Sequence, residues 1–339
     1  MHAVFAAFHS GNNNAPVRSL AELRAQAFLR ALICSVVALL DVHLYLFLSP
    51  SGTHATFTKH LLHPRIHLPP TLGSTVARVL QAQRYQVFLS LLRSPAGANI
   101  SKLVVVDASD VVFQADPFPH IQHGLYTAEE RPAYPLGDHA VNALWVRELF
   151  GDGGLHAIAH QRVMCSGVTM GTRAAMDAYL ATMASEISAR IGGPRVELLR
   201  ASLEGLRRKH GRERTRGFDQ GVHNVVVRGQ LRGVATVMAA FDGLLWHGNE
   251  MRCGTDAVVV NGSLRIRAGA AVRRPRPSSS RSPAIVHQYG RLSGDCRQRT
   301  RLALTCRGTS DAQPPYCALC SRAWPYWLGD VTNRWKAAL

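Results

Sequence analysis

Three short apolar runs near the start of the chain, Ala3–Phe8, Val42–Leu48 and Lys102–Val106, are separated by segments with helical patterning. Between them lie a polar turn (His9–Ala15), a helix over Leu20–Leu40, a loop carrying Pro64, Pro69 and Pro70, and a helix over about Ser74–Leu92. Strands separated by helices are joined by crossovers, and such strands form a mainly parallel sheet flanked by helices. The fold class expected is therefore α/β. In sheets of this kind ligands bind outside the carboxyl ends of the strands. Two places follow from that rule: His9-Ser10-Gly11-Asn12-Asn13-Asn14 after the first strand, and the residues after Val106.

The remaining chain is read in the same way. A loop region, Gly124–Asp138, precedes a helix over Ala140–Phe150 and a strand or turn over Val163–Gly171. A helix, Arg173–Ile191, is followed by a basic linker, and Phe218–Asn224 opens another helix. Short strands are expected near Val234–Met238 and Ala257–Val260, and Pro283–His287 reads as a final strand with a His at its end. The 339 residues show no fixed-period repeat, and the length suits one large domain or two small ones.

The segment with the sharpest chemistry is Lys102-Leu-Val-Val-Val-Asp107-Ala-Ser-Asp110-Val-Val-Phe-Gln-Ala-Asp116-Pro-Phe118. A buried apolar run delivers two carboxylates, three positions apart, to a strand's carboxyl end. Carboxylates gathered there are costly unless a cation or hydrogen-bond donors compensate them. A hard divalent ion with open positions, Mg²⁺ or Mn²⁺, completed by phosphate oxygens, fits that chemistry. The plainer reading is that Asp107 caps the following turn while Asp110 is solvated.

Asp107-Ala-Ser-Asp110, with the trailing Val-Val-Phe-Gln-Ala-Asp116-Pro-Phe118, resembles the acidic metal motif of GT-A glycosyltransferases, where an apolar strand ends in Asp-x-Asp. Here the spacing is one residue longer, so the resemblance leaves open which two of Asp107, Asp110 and Asp116 face the metal; Asp107 and Asp110 are favoured. Three later segments keep the family's order. Cys165-Ser166-Gly167-Val-Thr-Met-Gly171 resembles the Asn-Ser-Gly stretch that lines the sugar site, with Cys in place of Asn. Phe218-Asp219-Gln220-Gly-Val-His-Asn224 is similar to the Asp-Gln-x-x-x-Asn element of glycogenin-like and galactosyltransferase-like enzymes. Val286-His287-Gln-Tyr-Gly290 looks like the C-terminal His that gives the metal its third protein ligand. Arg84-Tyr85 resembles the Arg that approaches the donor nucleotide. Together the matches run from about Ala3 to Arg291.

The resemblance implies a GT-A-like (Rossmann-like) domain over residues 1–295, with a flexible basic loop at 264–283 and a Cys-rich tail at 296–339. It implies transfer of a sugar from a nucleotide-diphosphate donor to an acceptor hydroxyl, on a glycan, protein or small molecule, with Mn²⁺ or Mg²⁺ as cofactor. The metal ligands would be Asp107, Asp110 and His287. The donor would be held by Ser10, Gly11, Asn12, Arg84, Asp107, Ser166 and Gly167, and Asp219 and Gln220 would be catalytic. The Asp-Gln element resembles retaining families, which implies retention. Each residue also has a plain structural role open to it: Asp219 and Gln220 as helix caps, Ser166-Gly167 as a tight turn, Cys165 as a small buried residue, Arg84 as a salt-bridged helix residue. His139, His156, His160 and His223 lack any spacing that demands a metal and are read as structural.

The formal net charge is +17, but only 4 of the 39 basic residues are Lys, the skew a GC-rich coding sequence would give. The charge is also localised. One cluster runs through Arg207, Arg208, Lys209, Arg212, Arg214 and Arg216, alternating with Glu197, Glu204 and Glu213, and reads as a solvated helix and loop. A second, Arg265 to Arg281, lies in a Pro/Ser/Arg stretch and reads as a surface loop. The competing non-enzyme reading, a basic protein holding RNA or another polyanion through these clusters, has no recognised nucleic-acid module and no interleaved aromatics behind it. A haloacid-dehalogenase-type phosphohydrolase would need Asp-x-Asp and a suitable Lys, and neither is here. A GT-A-like fold without activity stays open.

The apolar run Ala31–Leu40 is short of the ~20 residues that span a bilayer, and Asp41 and His43 interrupt its continuation. Met1–Phe8 is too brief for a signal peptide and reads as a strand. Of seven Cys, four (Cys296, Cys306, Cys317 and Cys320) crowd the tail, where two disulfides or a structural zinc account for them equally. A Golgi lumen or membrane would suit the family and the tail cysteines.

Overall fold

The computed structural model describes residues 1–8, 29, 31–48, 63–69, 80–108, 110–130, 134–191, 217–238, 244–247, 257–260, 263–266 and 283–288. Its centre is a seven-stranded sheet. Strands β1 (His2–Phe8), β2 (Val42–Leu48), β3 (Ile66–His67), β4 (Lys102–Asp107), β6 (Leu125–Glu129), β7 (Met164–Thr172) and β8 (Ala235–Met238) lie in the order β3-β2-β1-β4-β7-β6-β8. The pairs β2–β3, β1–β2, β1–β4 and β6–β8 are parallel. β7 alone runs against both its neighbours. The sheet is therefore mainly parallel, as the alternation of strands and helices predicts.

Why the strands are apolar at nearly every position is visible in their two faces. Ala3 and Phe5 of β1, with Leu103 and Val105 of β4, pack into one core cluster; Val4 and Ala6, with Val104 and Val106, pack into another. Successive side chains point to opposite faces, so a strand covered on both sides cannot alternate with polar residues. One cluster is closed by helices α1 (Leu80–Arg93) and α3 (Arg173–Ile191), which supply Tyr85, Phe88, Leu92, Tyr179, Leu180 and Met183. The other includes Leu32, Ile33 and Val36 from the helical stretch 31–37. Helices α2 (Ala140–Ile158) and α4 (Phe218–Val225) complete the described helices.

A second sheet sets the site. β5 (Val111–Phe113), β9 (Leu245–His247) and β12 (Ile285–His287) form the order β5-β12-β9. β12 is antiparallel to β5, with His287 opposite Val111, and parallel to β9, with His287 opposite His247. A separate hairpin pairs β10 (Ala257–Val260) with β11 (Ser263–Ile266).

The expected loop over Gly124–Asp138 is corrected: Leu125–Glu129 is a strand, and Leu136–Asp138 is a short 3₁₀ turn. The strand is only five residues long and its buried positions do not alternate cleanly, so periodicity does not reveal it. The helix expected over Ala140–Phe150 ends as read: Gly151 takes φ 74° and ψ 179°, outside the helical region, and a second helical segment follows this kink to Ile158. β5 and β9 are only three residues long, below what periodicity detects. No described helix is long and apolar enough to cross a membrane.

Candidate functional site

The main sheet and the small sheet meet at the carboxyl end of β4. Asp107 is the last residue of β4, and Asp110 directly precedes β5. Asp110 has φ 75°, a left-handed conformation that Asp tolerates better than most residues. Because β12 pairs antiparallel with β5 and puts His287 opposite Val111, the His comes to lie beside the residue before Val111. Its Nε2 is 3.5 Å from Asp107 Oδ2 and 3.5 Å from Asp110 Oδ1. The ring is 2% exposed, the carboxylates 37% and 24%, so His287 forms the floor and the two Asp the open rim.

Two carboxylates and an imidazole whose ligand atoms all lie within 4.8 Å of one another form a donor set suited to a divalent cation. A second observation supports the fit. A Cβ on Gly167 would overlap the His287 ring and come within 2.8 Å of Asp107 Oδ2, so only glycine leaves this space clear. Asp116 is elsewhere: its Oδ1 accepts the Phe118 N–H at 2.9 Å. Of the three acidic candidates, Asp107 and Asp110 are the pair brought to His287.

Arg84, on α1, stands behind the rim with its side chain 5% exposed. Its Nη1 donates to Asp107 Oδ1, and its Nη2 lies 2.8 Å from Asp219 Oδ2 and 3.2 Å from the Ser166 carbonyl. The two oxygens of Asp107 are thus divided, Oδ1 to Arg84 and Oδ2 to His287. Burial alone would raise the Asp107 carboxyl, but the Arg84 guanidinium and the His287 ring outweigh it and hold the group well below the usual carboxylate range. Burial would lower His287, whereas Cys165, Asp107 and Asp110 around it raise it well above its ordinary value.

Asp219, near the start of α4, is buried. Its Oδ2 also accepts from Tyr85 OH at 3.3 Å and Ser166 Oγ at 3.4 Å. Burial raises its carboxyl, with Arg84 acting against that. Gln220 donates Nε2 to Asn142 Oδ1 at 2.9 Å, which ties α4 to α2. Asn224 accepts the Met164 N–H and donates to the Met164 carbonyl, both at 2.9 Å, which ties α4 to the start of β7. Ser166 and Gly167 lie on β7. The structure therefore gathers Arg84, Asp107, Asp110, Ser166, Gly167, Asp219 and His287 around one point. Ser10, Gly11 and Asn12 lie outside the described residues, as do the first basic cluster, most of the second, and the tail.

Two features were not legible in the sequence. His247, on β9, places Nδ1 3.0 Å from His287 Nδ1, and Cys165 Sγ lies 3.5 Å from the same nitrogen. Nothing in Leu245-Trp-His247 marks it as a partner of a residue 40 positions away. The other is a buried polar chain below Asp219, in which Tyr179 OH meets His223 Nδ1 at 2.9 Å and His223 Nε2 meets Thr127 Oγ1 at 3.1 Å.

No protein-family model and no curated protein matches the chain. Among solved structures, it is similar to the galactosyltransferase LgtC, in an active-site mutant and in a complex with donor and acceptor sugar analogs. Each is 11% identical with a TM-score of 0.43, over 89% of this chain and 94% and 95% of theirs. It is also similar to mouse xyloside xylosyltransferase 1 in its apo form, at 13% identity and a TM-score of 0.38, over 73% of this chain and 87% of that one. Values this low leave the chemistry of this chain to its own side chains.

Proposed function

We propose that this chain is a GT-A-like glycosyltransferase that moves a sugar from a nucleotide-diphosphate donor to an acceptor hydroxyl. The observation that carries this reading is the convergence of Asp107, Asp110 and His287 at the carboxyl end of a parallel strand, where such sheets bind ligands. These three residues would hold Mn²⁺ or Mg²⁺, which would supply positive charge to offset the negative charge growing on a departing diphosphate.

The protein's own groups then have distinct tasks. Arg84 takes Oδ1 of Asp107 and so turns Oδ2 toward the rim. Gly167 keeps the space beside Asp107 and His287 open. Asp219 and Gln220 would stand beside the transferred sugar. Oδ2 of Asp219 is already engaged by Arg84, Tyr85 and Ser166, so Asp219 would act by charge and position. This suits retention, which asks no general base of that residue. Ser10, Gly11 and Asn12 would hold the nucleotide. A Golgi-type lumen is the proposed location, an oxidising compartment in which the disulfide of the buried Cys34 would persist.

The test is calorimetric binding of UDP and GDP, each with Mn²⁺ and with EDTA, to the wild type and Asp110→Ala. Metal-dependent binding of one nucleotide, lost in the variant, is expected and names the donor base. A folded wild type that binds neither nucleotide overturns the reading.

A further inference from the structure

The cation reading uses one edge of the His287 ring, and the opposite edge is also occupied. Nε2 faces Asp107 and Asp110, while Nδ1 faces His247 Nδ1 at 3.0 Å and Cys165 Sγ at 3.5 Å. A nitrogen can offer a lone pair to a cation only if it carries no hydrogen, so the ring hydrogen must then sit on the other nitrogen. Of the two neighbours of Nδ1, the sulfur is the weaker acceptor and already faces the Gly167 N–H at 3.4 Å and Gln288 Nε2 at 3.9 Å. The nitrogen of His247 is nearer and is the better acceptor.

We propose that His247 is a positioning residue: its Nδ1 accepts the Nδ1–H of His287 and so leaves Nε2 of His287 to the carboxylate side. This inference rests on the cation-binding reading above. The two rings are held for the role by backbone register, since β9 and β12 pair in parallel with His247 opposite His287. Their planes meet at 75°, which brings an edge of one ring to an edge of the other without stacking. Both residues are buried, so water does not substitute for a lost acceptor. The three donors Cys165, His247 and His287 also form a soft N/S set. The 3.0 Å between the two Nδ1 atoms is a hydrogen-bond distance, and it favours a bond over a second ion.

The experiment uses the full chain with ¹⁵N-labelled histidine, and the His287 and His247 ring signals are read with and without Mg²⁺. A protonated Nδ1 on His287 beside an unprotonated Nδ1 on His247 is expected in both samples. His247→Phe keeps a ring but removes the acceptor, and Mn²⁺ affinity should fall about 10–100-fold. His247→Gln restores an acceptor oxygen and should recover most of that loss. An unprotonated Nδ1 on His287 in the wild type overturns the proposal. So does a folded His247→Phe protein with wild-type Mn²⁺ affinity when His287→Ala has lost it. Tight Zn²⁺ binding that needs Cys165 and His247 and survives Asp107→Asn overturns it in favour of a soft-cation site. Should the wild type bind no Mn²⁺ or Mg²⁺, the cation reading fails, and the ring signals of the metal-free protein still decide the His247 contact.

Discussion

Arg84 Nη2 lies 2.8 Å from Asp219 Oδ2, and both side chains are 5% exposed. The same guanidinium holds Asp107, so one buried cation joins the strand end that carries the acidic motif to the helix that carries Asp-Gln. Removing one partner of a buried pair leaves a charge without compensation, which costs more than the intact pair contributes. Arg84→Met should therefore destabilise the fold by about 3–5 kcal/mol in urea unfolding. Adding Asp219→Leu should recover part of that loss, because it removes one of the two orphaned carboxylates. A double variant no more stable than Arg84→Met would refute the coupling.

Gly167 gives a sharper separation of fold from site. A methyl group there meets the His287 ring and Asp107 Oδ2, and Gly167 is not among the positive-φ glycines, so alanine suits its backbone. The overlap should cost about 1–3 kcal/mol of stability, as overpacking does. Cation-dependent nucleotide binding should fall at least tenfold, about 1.4 kcal/mol, while the circular dichroism spectrum stays that of the wild type. Unchanged binding by Gly167→Ala would place the cation elsewhere.

The strands over Val42–Leu48 and Ala257–Val260 and the helix over Arg173–Ile191 have the bounds read from sequence, because long apolar runs and helical periodicity declare themselves locally. What brings Asp110 to His287 is different in kind. It is the pairing of two three-residue strands whose partners are 172 to 176 positions apart in sequence, which carries no local signal. The His could be singled out only by its place at a strand end and by resemblance. His247 ends a strand too short to read from sequence and carries no resemblance, and Arg84 gave no sign that its partners would be Asp107 and Asp219. Burial is what selects such pairings, and burial is a property of the assembled sheet.

Asp116 and Asp110 are chemically identical and six residues apart, yet the structure gives them different work. Asp116 accepts the Phe118 N–H at 2.9 Å and closes a turn. Asp116→Ala should lower stability by about 0.5–2 kcal/mol, the range for a lost cap, and leave Mn²⁺-dependent nucleotide binding intact. Asp110→Ala should do the reverse. Calorimetric titration beside thermal unfolding of both variants checks the pair, and nucleotide binding lost in Asp116→Ala would reassign the ligands.

His223 makes the fold sensitive to acid. It is fully buried, between Tyr179 of α3 and Thr127 of β6, and burial, with the positive charges of Arg84 and Arg228, lowers its pKa from 6.5 to about 3. The folded state therefore keeps this ring neutral while the unfolded chain takes up a proton below its ordinary pKa. The unfolded state binds more protons across that interval, so stability falls as pH drops through 6.5 and goes on falling toward 3. Between pH 7.5 and 5 this one group should remove about 2 kcal/mol, at ~1.4 kcal/mol per unit. His223→Gln keeps a polar partner for Tyr179 and does not titrate. It should be less stable than the wild type at pH 7.5, yet lose about 2 kcal/mol less on going to pH 5. Urea unfolding of both proteins at the two pH values reads this difference directly, and parallel losses would mean that the acid sensitivity lies in other groups.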